Sequence, residues 1–117
     1  MKLTYFKLEE FKCSCCGESE MDMGFLHKLD LARGVAKTPF TITSGYRCKA
    51  HNKNVGGKDT SSHLIGKAVD IAIKNGNCRY KILIALLSVG FNRFGFGSDF
   101  LHVDNDLSKS QEVMWTY

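Results

Sequence analysis

A lone carboxylate set into an apolar strand is the feature that most restricts this chain. In the segment 67–73, Val69, Ile71 and Ile73 alternate with Ala68, Asp70 and Ala72. Successive side chains of a strand point to opposite faces, so the first set meets a core while Asp70 stands on the other side. Such a strand requires neighbours to pair with and a helical layer to cover its apolar face.

The flanking sequence supplies both. Residues 22–36 carry Phe25, Leu29, Ala32 and Ala36 at helical spacing, with Asp22 placed to cap the first turn. Pro39 stops that helix, and Phe40–Thr43 reads as a short strand. Residues 78–89 form a second helix with Ile82, Leu83, Leu86 and Leu87 on its apolar face and Gly90 closing it. Phe91–Phe96 is a bent strand, Phe100–Asp104 a straight one, and Val113–Tyr117 a last one. Residues 1–20 are irregular. Residues 44–66 are polar and glycine-rich, a long loop with at most a turn of helix, and such loops in small domains are functional or disordered. The sum is an α+β chain with a small, mainly antiparallel sheet and two helices packed on it. A length of 117 residues suits one domain, residues 1–117.

Composition narrows the function. With 44% hydrophobic and 24% charged residues the chain has ordinary globular usage, which excludes long disorder. No apolar run approaches the roughly 20 residues that span a bilayer, so no stable membrane association is expected. Sixteen Lys and Arg against 12 Asp and Glu give a net charge of +4, which favours an anionic partner such as a wall polymer. No basic run of the nucleic-acid type occurs, so nucleic acid is not expected. Charges interrupt the start, Met1-Lys2-Leu3-Thr4-Tyr5-Phe6-Lys7, which predicts synthesis in a cytoplasm without a signal peptide.

The chemistry gathers in two segments, 61–70 and 99–104. His63, Asp70 and His102 are two imidazoles and a carboxylate, the donor set that holds a catalytic zinc while leaving one position open for water. Asp70 projects from its strand, His63 enters from the preceding loop with Gly66 turning the backbone between them, and His102 comes from a second strand opposite Leu101 and Val103. Asp99, three residues before His102, is placed to take a proton from the attacking water and hand it to the leaving amine. Arg47 suits a substrate carboxylate or a developing oxyanion. Asp104 shares a strand face with His102 and is placed to orient an imidazole from behind. His27, on the first helix, reads as a surface or satisfied residue rather than a ligand.

Five cysteines, an odd count, argue against a fully paired disulfide framework. Cys13-x-x-Cys16 and Cys48-x-x-His51 have the makeup of a structural Cys₃His zinc site. Buried free thiols, or a disulfide formed after release from the cell, are the alternatives. Cys78 opens a helix and reads as packing.

Four ordered blocks carry a family resemblance: Ser44-Gly45-Tyr46-Arg47; His51-Asn52 with Val55-Gly56-Gly57; Ser62-His63-x-x-Gly66-x-Ala68-x-Asp70-Ile71; and Asp99-x-x-His102-Val103-Asp104. Together they resemble the zinc D-Ala-D-Ala carboxypeptidases and their phage branch, the short L-alanyl-D-glutamate endolysins. The resemblance implies a hedgehog/DD-peptidase fold, one catalytic zinc and cleavage of peptidoglycan stem peptides by a bare, monomeric catalytic module of phage or prophage origin. His63, Asp70 and His102 match the zinc ligands, Asp99 the catalytic acidic position and Arg47 the substrate or transition-state arginine. Ser61 falls where some relatives place a substrate-contacting serine. Some members carry Glu where Asp99 stands. Release through a pore, or carriage in a virion, is what would bring such an enzyme to the wall. The alternative reading is a non-catalytic, metal-stabilised wall-binding or phage structural module, for which Asp99 and Arg47 have no use.

Overall fold

The computed structural model describes residues 2–117. Five strands form one sheet: β1 (Ile42–Ser44), β2 (Ala68–Ala72), β3 (Arg93–Phe96), β4 (Phe100–Asp104) and β5 (Val113–Thr116). Their order across the sheet is β1-β2-β4-β3-β5. The pairings β1–β2, β2–β4 and β3–β4 are antiparallel, while β3 and β5 run parallel. Three helices accompany them: α1 (Met23–Ala36), α2 (Lys49–Asn54) and α3 (Gly76–Ser88). The expected α+β class with a mainly antiparallel sheet is the observed one.

The sheet has a chemical face and a packing face, as the alternation in β2 requires. Val69, Ile71, Phe94, Leu101 and Val103 are all fully buried on the packing side, joined by Phe25, Leu26, Leu29 and Ala32 of α1 and Ile82, Ala85 and Leu86 of α3. Asp22 caps α1, its carboxylate accepting from the Phe25 N–H at 2.9 Å. In α3, Ala85 takes the core position that the helical pattern gave to Leu87, and Leu87 is exposed.

The stretch 44–66 departs from the expected loop. It contains α2, capped by the Cys48 side chain, and a 3-10 turn at Ser62–Ile65 capped by Ser61. Both are short, and polar contacts rather than apolar periodicity hold them, so neither leaves a hydrophobic signature. A further 3-10 turn spans Leu8–Phe11 and buries Phe11. No helix among the described residues is long and apolar enough to cross a membrane.

Candidate metal centre

One cross-strand row assembles the site. Ser44 pairs with Asp70, Asp70 with His102, His102 with Gly95, and Gly95 with Trp115, so one transverse line crosses all five strands. Directly paired residues share a sheet face, so Asp70 and His102 emerge side by side. His63 joins them from the 3-10 turn. Gly66 ends that turn in the left-handed region at φ 68°, pressed against the Glu20 carbonyl, where a side chain would fit neither the angle nor the space.

His63, Asp70 and His102 each offer a donor atom, all within 4.8 Å of one another. His63 Nδ1 donates to the Gly45 carbonyl at 2.7 Å, which leaves the lone pair on Nε2, 3.3 Å from Asp70 Oδ1. His102 Nε2 donates to Asp104 Oδ2 at 2.7 Å, which turns Nδ1 toward Asp70 Oδ1 at 3.0 Å. Each imidazole is thus fixed by a partner behind it, with its other nitrogen aimed at a shared point beside a carboxylate. Two neutral imidazoles and one carboxylate, oriented in this way, fit a zinc ion. Asp104 therefore sits where the sequence placed it. It is 1% exposed, and it also accepts from Arg93 Nε at 2.6 Å and from the Asp106 N–H at 3.1 Å.

Electrostatics follow from this crowding. Burial opposes the Asp70 charge, but His102 and His63, which donate to it when no metal takes their nitrogens, outweigh that and hold the carboxyl well below the usual range. Burial likewise disfavours a charged His102, yet Asp104 and Asp70 overcome it and raise its pKa. That proton and a metal ion compete for the same nitrogen. Apparent zinc affinity is expected to fall as pH drops through this raised pKa, already above the ordinary value of about 6.5. Zinc titrations across pH 5.5–8.5 would read the trend, and a flat profile would contradict it.

Arg47 is brought to the same place. Its Nη2 lies 3.4 Å from Asp70 Oδ2, its Nη1 donates to Asn52 Oδ1 at 3.3 Å, and its Nε donates to Ser44 Oγ at 3.1 Å. Asn52 is buried, and its amide donates to the Lys58 carbonyl at 2.9 Å, so the guanidinium has a fixed mount. Asp99 is exposed at the tip of the β3–β4 hairpin, with its backbone carbonyl accepting from the Ile73 N–H at 2.8 Å. Among the described residues no hydrogen bond or ion pair engages its carboxylate. Arg79 of α3 steadies that tip by donating to the carbonyls of Gly97, Ser98 and Phe100 at 2.8, 3.4 and 3.3 Å. The Ser61 hydroxyl accepts from the His63 N–H at 3.3 Å. The surface cavity it lines, with Asp59, Leu64 and Lys109, includes none of the three metal-ligand candidates.

Sequence reasoning missed four contributors. Arg93 secures Asp104. Asn52 secures Arg47. Trp115 lies against His102, with ring centroids 5.5 Å apart, and Tyr117 packs on Phe100 at 5.2 Å. Gly95 leaves room for this aromatic wall, since a Cβ there would stand 2.5 Å from Trp115 Nε1 and 2.7 Å from the Tyr117 hydroxyl. Gly95→Ala is expected to displace both rings at a cost of about 1–3 kcal/mol. Trp115 is the only tryptophan, so intrinsic fluorescence reports it directly, and unchanged emission and thermal stability would contradict the packing.

The second predicted cluster also forms in part. The thiols of Cys13, Cys16 and Cys48 lie within 4.8 Å of one another. The fourth member expected from the sequence, His51, stands outside that group, with its Nε2 3.3 Å from Ser14 Oγ.

No curated protein matches the chain. The model of the peptidase M15 family matches residues 4–104, a span that contains His63, Asp70, His102, Asp99 and Arg47. M15 peptidases are zinc-dependent, in agreement with the donor set built here. A match over that much of the chain, on a sheet that gathers this donor set, places the protein in the peptidase M15 family.

Proposed function

We propose that this M15 metallopeptidase hydrolyses an amide bond of the peptidoglycan stem peptide, either L-Ala-D-Glu or D-Ala-D-Ala, as a phage or prophage endolysin acting on the wall after release. The observation that carries the reading is the convergence of His63 Nε2, Asp70 and His102 Nδ1, both imidazoles held from behind, beside a fixed guanidinium.

His63, Asp70 and His102 would hold the zinc ion, which supplies Lewis-acid polarisation of the scissile carbonyl and makes water more acidic. Asp99 accepts the proton that water loses as its oxygen bonds to the carbonyl carbon. The same carboxyl then returns a proton to the departing amine as the C–N bond breaks. Arg47, mounted on Asn52 and Ser44, faces the negative charge of the tetrahedral oxygen or of a substrate carboxylate. Trp115 and Tyr117 form an apolar wall beside His102. The +4 charge favours residence near an anionic wall.

Mass spectrometry of purified sacculi digested by the zinc-loaded protein tests the proposal. The expected result is a new amino terminus at D-Glu, or release of free D-Ala, with glycan strands intact. Unaltered stem peptides would overturn it.

A further inference from the structure

Outside the metal centre, the strongest concentration of ligating chemistry is at the N-terminal segment. Cys13 and Cys16 lie on a tight turn in which Gly17, at φ 74°, donates its N–H to the Cys13 carbonyl at 2.8 Å. Cys48 comes from a separate part of the chain, where it caps α2. The Cys13 and Cys48 sulfurs approach to 3.7 Å, and all five cysteines are free thiols. Cys13 is buried, and its sulfur accepts the Cys48 N–H at 3.5 Å, while the Cys48 sulfur accepts the His51 N–H at 3.4 Å. Backbone N–H groups aimed at sulfur are partners for thiolates rather than thiols. A C-x-x-C turn joined by a distant third cysteine is the donor pattern of a structural zinc site.

We propose that Cys13, Cys16 and Cys48 bind a second zinc ion that clips the N-terminal segment to the loop behind the metal centre. The three thiols release their protons as they bind the ion. The fourth donor comes from the same two segments, Cys15 on the turn or His51 in the first turn of α2.

The clip has a mechanical consequence. Cys48 follows Arg47 directly, the Tyr46 N–H donates to the Phe11 carbonyl at 2.9 Å, and Gly45 carries the carbonyl that fixes His63. Pinning Cys48 to the 13–16 turn therefore steadies the backbone that holds both Arg47 and His63. The cysteine-dependent ion is independent of the peptidase reading.

The test is zinc content by elemental analysis of the full chain, purified under a phosphine reductant and freed of loose metal. Two equivalents are expected in the parent chain, and one in His63→Ala, in Cys13→Ser and in Cys48→Ser. Loss of one equivalent in Cys15→Ser or in His51→Ala as well would support the site and name its fourth donor. Cobalt(II) loading of His63→Ala keeps the question open to refutation if the cysteine variants do not fold. An intense thiolate-to-cobalt band is expected there, because the remaining site is sulfur-rich. A parent zinc content that does not fall in Cys13→Ser or Cys48→Ser, or a cobalt-loaded His63→Ala without that band, would overturn the proposal. Failure of the peptidase reading would leave the band and the Cys-dependent equivalent intact.

Discussion

Asp99→Ala is expected to bind zinc as the parent chain does and to lose turnover on purified sacculi by about 10²–10⁴-fold, the range of a positioned general acid–base group. The separation of the two effects follows from position. Asp99 lies at the hairpin tip, outside the three donors and outside the hydrogen bonds that orient them. Its backbone carbonyl, which ties the tip to Ile73, survives the substitution. Release of stem-peptide fragments over time, measured beside zinc content, checks both halves. Parent-level release would remove Asp99 from the mechanism, and lost zinc would show that it acts through the metal centre's architecture instead.

Arg93→Ala should be the most damaging substitution away from the reacting groups. Arg93 and Asp104 form an ion pair at 2.6 Å, with Arg93 7% and Asp104 1% exposed. Arg93 also donates through Nη1 to the Ser110 carbonyl, which ties the segment before β5 to the sheet. Removing one partner of a buried pair leaves the other charge without compensation, at a cost of about 3–5 kcal/mol. For a chain of this size that lowers Tm by roughly 10 °C or more. Asp104 also fixes the His102 ring, and disturbing such a partner typically costs about 10–100-fold in metal affinity. Thermal unfolding and zinc titration together read the effect. An unchanged Tm with unchanged zinc affinity would show that Asp104 does not depend on Arg93.

What the sequence disclosed and what it hid divide along physical lines. β2 was legible because strict alternation sets Asp70 against Val69 and Ile71, and α1 because Asp22 and Pro39 bracket it. The clustering of the candidate donors His63, Asp70 and His102 was legible because their spacing and residue types carry chemistry that apolar residues do not mimic. Arg93, Trp115 and Asn52 were hidden because their roles exist only after distant segments pair. Arg93 reaches Asp104 by the β3–β4 pairing, Trp115 reaches His102 because β5 adds in parallel to β3, and Asn52 meets Arg47 only once α2 has formed. Ser61 shows a second use of a motif position: it caps the 3-10 turn that carries His63, a role that serine fills by hydrogen-bonding chemistry alone.

The central claim is that His63, Asp70 and His102 share one metal ion, and anomalous X-ray scattering at the zinc edge tests it most directly. Crystals of the zinc-loaded protein should show an anomalous peak about 2.0–2.2 Å from His63 Nε2, an Asp70 carboxylate oxygen and His102 Nδ1. A map with no peak among these three side chains, at full zinc occupancy elsewhere or in solution, would contradict the account.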